Sequence, residues 1–301
     1  MSGSALPSDE QVFSGEAQII DRGYRSYDGP RTGVRGAERA VVIHSVQRAL
    51  GMRRTIWAKV LPIATIAFAY IPAIVFVGII ALLPSSQTAD LLLPSYGDYY
   101  TFVISAIMVF VALVAPEVLC TDRRTGMLGV YLAAPLDRDT YLLAKAASIA
   151  TVLSIVCLGP PLLMLVANVL QSQGPEGIAD IADTAWRVLA TGAVLTLLFT
   201  GITMGITSLT DRKAIAAATI MLTFLVSLSI TGSVEAAGGA SGVYAFAPTL
   251  LSLEMAQRIH GEYSPIMTGV PDLTIWAAWA AWTFGGFAVA RSRLHSLPVT
   301  R

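Results

Sequence analysis

The sequence predicts an all-α polytopic membrane protein with six transmembrane helices. The composition is 54% hydrophobic and only 13% charged, whereas soluble domains average about 25% charged residues. Long apolar runs recur along the chain, and most of them reach the length of about 20 residues that a helix needs to cross the hydrocarbon core of a bilayer. Six such runs can be marked, at 57–83, 100–115, 141–170, 185–209, 214–237 and 273–290.

The Lys and Arg residues predict how these runs are oriented. If successive runs cross the membrane in opposite directions, all of the 20 basic residues except Arg187 and Arg258 fall in segments on one side. Those segments are the amino-terminal region, the loop after the second run, the turn between the fourth and fifth runs and the carboxyl tail. Because basic residues are retained on the cytoplasmic side, both termini are predicted to be cytoplasmic.

The amino-terminal region divides into a polar tail at 1–38 and an amphipathic segment at 39–56. The tail contains a turn-forming Tyr27-Asp28-Gly29-Pro30 stretch, and it is either disordered or packs on a cytoplasmic partner through residues 23–27. In the second segment, apolar residues recur at helical spacing among His44, Gln47 and Arg48. This pattern predicts an interfacial elbow helix with its apolar face in lipid and its arginines at the headgroups. The apolar residues concerned are Val42, Val46, Ala49 and Leu50.

The transmembrane domain is predicted at 57–295, followed by a cytoplasmic tail at 296–301. The run at 100–115 is short, and it crosses a membrane only if Val118 and Leu119 continue its helix. Gly159, Pro160 and Pro161 interrupt the third run, because proline removes a backbone donor. They make either a hinge or a static kink.

The longest outer segment lies at 238–271. One expectation for it is a plain surface loop.

The chain has few of the residue groupings that are typical of catalytic, ion-binding or phosphate-binding sites. No Asp, Glu, Lys, Arg or His stands near the middle of any run, which counts against a proton-coupled or sodium-coupled carrier and an intramembrane metalloprotease. The three histidines are far apart in sequence, and no Gly-Lys pair could begin a phosphate-binding loop. Cys120 and Cys157 are interpreted as buried small apolar residues. We therefore expect no catalytic residues, no metal site and no cofactor within the chain itself.

The loop at 116–140 carries the most specific pattern. Leu128, Tyr131, Leu132 and Pro135 are spaced as one ridge of a short helix, preceded by the Arg123-Arg124 pair, with Gly126 and Pro135 as boundaries. Such a ridge is suited to insertion into a groove of a partner protein. The alternative is a helix lying flat on the lipid headgroups.

This loop is similar to the first cytoplasmic loop of ABC-2 type permeases, the membrane subunits of a class of ABC transporters. The resemblance departs at Gly129, where the family commonly has Glu. Residues 27–31 also resemble the start of some bacterial members, and the six-run layout extends the likeness over 39–295. The matching residues of the loop are Arg123, Arg124, Gly126, Leu128, Leu132, Ala134, Pro135, Leu136 and Lys145.

The resemblance implies a permease that pairs with a second, identical or related permease and with two ATPase subunits, which bind ATP and Mg. It implies location in the bacterial cytoplasmic membrane, export, and short helices that re-enter the membrane in the segment at 238–271. Because no charged residue stands near the middle of any run, a cavity between the two permeases would suit a hydrophobic or amphipathic substrate, such as a lipid, a drug-like molecule or a peptide. We expect no role for nucleic acid. A secondary carrier and a non-transporting membrane scaffold are the alternatives. The residues expected to contact the ATPase are Asp122, Arg123, Arg124, Gly126, Leu128, Tyr131, Leu132 and Pro135.

Overall fold

The computed structural model describes residues 29, 33–52, 55–82, 94–133, 136–172, 174–175 and 177–296. These residues form helices and connecting turns, with no β-strand among them. The tail motif at 23–31, apart from Gly29, lies outside the described residues, as do Ala134, Pro135 and the tail beyond Ser296. In chain order the α-helices are α1 (Gly33–Ala49), α2 (Ile56–Leu82), α3 (Tyr99–Val114), α4 (Pro116–Arg124), α5 (Leu128–Ala133), α6 (Arg138–Cys157), α7 (Gly159–Leu170), α8 (Ile178–Leu209), α9 (Lys213–Ala236), α10 (Pro248–His260) and α11 (Asp272–Ser296).

The predicted all-α class with six membrane-length helices is confirmed for the described residues. The candidate spans are α2, α3 with α4, α6, α8, α9 and α11. The short second run becomes long enough because α4 follows α3 after a break at Ala115. Pro116 stands at the first position of α4, where the missing proline N–H is not needed by the helix.

The helices differ in how deeply they are buried. In α3, α6 and α8 more than half of the apolar window is buried, against 22% in each of α2, α9 and α11. The inner helices supply most of the large buried side chains, among them Phe110 and Phe199, and Phe199 packs edge-on against Phe224 of α9. The outer helices present exposed apolar surface, as expected for residues that meet lipid or another apolar surface.

The closest contact between two long helices joins α8 and α11 through glycines. A Cβ added at Gly201 would lie 2.4 Å from the carbonyl oxygen of Thr283, and one added at Gly286 would lie 2.0 Å from that of Gly201. Gly205 approaches the backbone of Gly286 in the same way. The Gly-x-x-x-Gly pattern of α8 therefore serves close packing within this chain.

Helix α1 begins and ends several residues before the predicted elbow segment. Its buried residues Val41, Ser45 and Ala49 are spaced four apart and lie on the side that packs against α6 and α4. Val46 and Leu50, which we expected to face lipid, are partly buried against the main hydrophobic core. The apolar face of α1 thus contacts protein.

The segment at 238–271 contains helices that pack against the bundle. A 3₁₀ helix at Ser241–Phe246 precedes α10, whose residues Leu251, Glu254 and Met255 are all buried against the bundle. Short helices thus form much of this segment, in place of a plain surface loop. Re-entry of these helices into a membrane stays a prediction.

Candidate functional site

Ion pairs join several helices at one end of the bundle, which we call the basic end. Asp122 at the end of α4 pairs with Arg48 of α1 and Lys145 of α6. Lys213 at the start of α9 pairs with Glu117 of α4. Arg291 and His295 near the end of α11 pair with Asp139 at the start of α6. These contacts bring the candidate loop together with the ends of four candidate spans and with α1.

The centre of the basic end is a buried ionic network around Asp122. The carboxylate and the Lys145 ammonium are both fully buried, with Lys145 Nζ 2.5 Å from Asp122 Oδ2. The Tyr141 hydroxyl donates to the same oxygen at 3.0 Å, and Lys145 Nζ donates to Ser45 Oγ of α1 at 2.7 Å. Removing charges from water is costly, and the cost is offset only where each charge keeps its partner and its hydrogen bonds.

Arg48 closes this network from α1. Its Nη2 lies 2.7 Å from Asp122 Oδ1 without hydrogen-bond alignment to that oxygen, and it donates to the carbonyl of Val118 at 3.1 Å. Because this side chain is only 11% exposed, it does not extend to the lipid headgroups. Arg48, predicted to lie at the lipid headgroups, and Asp122, predicted to contact the ATPase, are instead paired with each other inside the protein.

Helix α5 covers the network with one face and exposes the other. Leu128 and Tyr131 pack against the core, and the Tyr131 ring lies 5.6 Å from that of Tyr141, between ring centroids. Lys145 Nζ is 5.4 Å from the Tyr131 ring centroid, within cation–π range. Burial raises the pKa of the Tyr131 hydroxyl. The exposed apolar side chains at this corner are Met127 and Val130, and Val130 is 62% exposed.

The predicted docking ridge is therefore turned mainly toward the bundle. Leu128, Tyr131 and Leu132 are half-buried, and Pro135 lies outside the described residues. The spacing correctly groups residues on one face of a helix, but that face meets the protein. The surface available to a partner is formed by Arg124, Met127 and Val130, which we call the exposed corner.

Arg123 binds backbone oxygens within the chain. Its Nη1 donates to the carbonyls of Ser208 and Thr210 at the end of α8. Carbonyls in the last turn of a helix have no intrahelical donor, and a cation there also interacts favourably with the helix dipole. Arg138 acts in the same way on Leu294 at the end of α11.

Gly126 forms the turn between α4 and α5. Its φ is +68°, a left-handed conformation that glycine adopts without steric cost. The amide of Met127 donates to the carbonyl of Asp122 at 3.0 Å, which closes the end of α4 as in other glycine-terminated helices. The turn fixes where α5 lies relative to Asp122.

The predicted hinge is a break between α6 and α7 at Leu158. Pro161 has no N–H to donate to the carbonyl of Cys157, and the Tyr100 hydroxyl of α3 donates to that oxygen at 3.0 Å. The Tyr70 hydroxyl of α2 donates to the carbonyl of Ile155 at 3.1 Å, and it packs so tightly on Gly159 that a Cβ there would clash. Two neighbouring helices thus hold the break in place, which favours a static kink.

The opposite end carries a second buried carboxylate. Glu254 of α10 is fully buried and pairs with Arg258 one turn later at 2.6 Å. Arg258 also pairs with Asp272 and donates to the carbonyls of Met267 and Val270. This network holds α10 against the segment that leads into α11.

Among the described residues, hydrogen bonds also link this end to distant parts of the chain. The loop before α3 contributes Ser95, which donates to Glu262, and Asp98, which accepts from Gln257. Asn168 of α7 donates to the Tyr96 hydroxyl at 3.1 Å.

No protein-family model matches the sequence, and no curated protein is significantly similar to it.

Proposed function

We propose that this protein is the permease subunit of an ABC transporter of the ABC-2 type, driven by ATP that a separate ATPase subunit hydrolyses. The orientation would place the basic end and both termini in the cytoplasm of a bacterium, because that end carries the positive residues. The chain itself would hold neither ATP nor Mg. Its partners would be the ATPase subunits and a second permease, identical or related.

The observation that carries the proposal is the construction of the α4–α5 segment. Its exposed corner of Arg124, Met127 and Val130 combines a cation with two exposed apolar side chains at the basic end. A few buried anchors of this kind commonly dominate the energy of a protein–protein interface. The motif that resembles the family's cytoplasmic loop lies in the same segment.

The Asp122 network supplies a physical route from that corner to the candidate spans. Asp122 lies one turn before Gly126, and its carboxylate contacts Lys145 of α6 and Arg48 of α1. Displacement of the α4–α5 turn would have to move these partners or separate buried charges, and separation is costly. A push on the exposed corner would therefore displace α1 and α6 as well.

The exposed apolar faces of α2, α9 and α11 suit a substrate that is itself hydrophobic or amphipathic. Large side chains such as Phe68, Leu222 and Phe284 are more than half exposed on them. We propose that the substrate moves outward along a path between this chain and the second permease.

The test is purification of the tagged protein from its own membranes in mild detergent, followed by identification of co-purifying proteins. We expect a stoichiometric P-loop ATPase. Val130→Asp should reduce its recovery at least about tenfold, because a charge would be buried in the interface. Val34→Asp is the matched control, since Val34 is 44% exposed on α1 and lies outside the exposed corner.

Transport is then measured in vesicles that contain the ATPase. Substrate movement should require nucleotide and should be lost in Val130→Asp while the variant remains folded. Normal ATPase recovery with Val130→Asp would remove the docking role of the exposed corner. Absence of any ATPase from the wild-type preparation would overturn the proposed function.

A further inference from the structure

A basic cavity lies beside the α4–α5 segment. It is lined by Arg124 at the end of α4 and by Asp211, Arg212, Lys213 and Ala214 in the turn between α8 and α9. Arg124 and Arg212 are exposed, and Lys213 is paired with Glu117. Because Lys213 already has Glu117 as its partner, Arg124 and Arg212 face the single carboxylate of Asp211, and the charge of the cavity is complementary to an anion.

The position of the cavity indicates what kind of anion it meets. Arg124 is the last residue of the second candidate span, and Lys213 is the first residue of the fifth. The cavity therefore lies where the hydrocarbon core gives way to the headgroup layer. Basic clusters at this depth attract the phosphates of anionic lipids.

The apolar surface next to the cavity fits the rest of a lipid molecule. Leu209 precedes the turn and is 55% exposed, while Ile215 and Leu222 on α9 are 47% and 57% exposed. An acyl chain can lie along this exposed side of α9 with its phosphate among the cations. A soluble anion would use the cations but not this apolar surface.

We propose that this cavity binds the phosphate of an anionic phospholipid, whose acyl chains lie along α9. The inference stands on the described residues and does not depend on the proposed transport function. Bound lipid would bridge the α4–α5 turn and the start of α9. The amount of anionic lipid in the membrane would then influence how firmly this corner is held.

The test is a lipid titration of the purified full-length protein in detergent, followed by native mass spectrometry. The probes are phosphatidylglycerol, phosphatidylcholine and inorganic phosphate. Wild-type protein should bind phosphatidylglycerol more tightly than phosphatidylcholine. Each cation removed should weaken binding about fivefold, so the Arg124→Gln/Arg212→Gln variant should bind phosphatidylglycerol about 25-fold more weakly.

Two further variants make the result specific. Asp211→Asn removes the carboxylate of the cavity and should tighten phosphatidylglycerol binding by up to about fivefold. Arg39→Gln/Arg293→Gln removes two exposed arginines that do not line the cavity, and it should bind as the wild type does.

Four results would overturn the proposal. The first is equal wild-type binding of the two lipids. The second is an equal loss of phosphatidylglycerol binding in the control pair. The third is binding of inorganic phosphate as tight as that of phosphatidylglycerol and equally sensitive to Arg124→Gln/Arg212→Gln, which would assign the cavity to a soluble anion. The fourth is normal lipid binding by that variant, and if the variant also lost a co-purified protein, the cavity would be a protein contact instead.

Discussion

The two ends of the bundle use ion pairs differently. At the basic end, Asp122 and Lys145 join α4 to α6, and a hydrogen bond from Lys145 to Ser45 spans 100 residues of sequence. At the opposite end, Arg258 pairs with Glu254 four residues away and with Asp272 fourteen residues away. Among the described residues, charges connect helices that are far apart in sequence at the basic end, whereas at the opposite end they brace α10 and its connection to the start of α11.

This difference bears on what each end can do. A buried pair between separate helices makes them move together, because parting the charges leaves each one without compensation in a medium of low polarity. A local pair instead fixes the shape of one helix and the turn that follows it. Under the proposed function the basic end would transmit displacement between helices, whereas the contacts at the opposite end hold α10 in place.

The largest expected loss of stability comes from removing one partner from the Asp122 network. We expect Lys145→Met to destabilise the protein by about 3–5 kcal/mol, because Asp122 keeps its buried charge and loses its closest cation. Asp122→Asn should cost a similar amount, since Lys145 would then be the unpaired ion. Thermal unfolding in detergent, followed by intrinsic fluorescence, measures both.

The double variant Asp122→Asn/Lys145→Met is the control for that pair. In the double variant the Tyr141 hydroxyl can still donate to the Asn side chain and Arg48 keeps its hydrogen bond to the Val118 carbonyl. Part of the lost stability should therefore return, although Arg48 loses its carboxylate partner. Additive losses in the double variant would show that the two charges do not compensate each other. In the transport assay the double variant should remain folded but should couple poorly, because the tie between α4 and α6 is gone.

A smaller loss is expected at the opposite end. Glu254→Gln should cost about 1–3 kcal/mol, because a buried charged hydrogen bond is weakened while Arg258 keeps Asp272 and two carbonyl acceptors. The same unfolding measurement applies. Asp183→Asn is the matched control, since it breaks an exposed pair with Arg187 one turn away, which should be worth at most about 0.5 kcal/mol.

Equal losses of stability from Glu254→Gln and Lys145→Met would show that the local ion pair and the pair between separate helices do not differ in their effect. A loss from Asp183→Asn as large as that from Glu254→Gln would show that burial does not decide the effect.

Much of the fold could be predicted from the sequence, because membrane-length helices show as long runs of apolar residues. The apolar runs locate α2 and α9 to within one residue at each end, and they locate the end of α8 but not its start at Ile178. Pro160 and Pro161 locate the break between α6 and α7. Helical spacing also shows which residues share a face. What spacing leaves open is whether that face meets lipid, a partner or the same chain.

The candidate site was less predictable for that reason. Leu128 and Tyr131 carry the spacing of a docking ridge, but the structure turns them toward Lys145 and Tyr141. The pairing of Asp122 with Lys145 depends on how α4 and α6 meet in space. One signal was present, because a lysine inside an apolar run such as 141–170 needs either a partner or access to the interface.

The smallest expected effect concerns His260 at the opposite end and its response to pH. Burial lowers the pKa of this imidazole below its ordinary value of 6.5. Its Nδ1 lies 2.9 Å from the carbonyl of Ala256, so Nδ1 carries the proton and Nε2 is left buried with no acceptor or donor partner among the described residues. The ring stacks on Tyr96, with Thr191 beside it, while Glu262 and Asp183 favour the imidazolium and Arg187 opposes it.

The sign of the pH effect follows from that depressed pKa. Above pH 6.5 the imidazole is neutral in both the folded and the unfolded protein, so His260 does not lower the stability of the fold. As the pH falls from 6.5 through the lower folded pKa, the unfolded chain takes up a proton first, and stability is lost. His260→Gln cannot take up this proton, so its melting temperature should fall less than that of the wild type between about pH 7.5 and 5.5. Identical pH dependence of the two proteins would mean that His260 is solvated like the unfolded residue, and that the opposite end is more open than its contacts indicate.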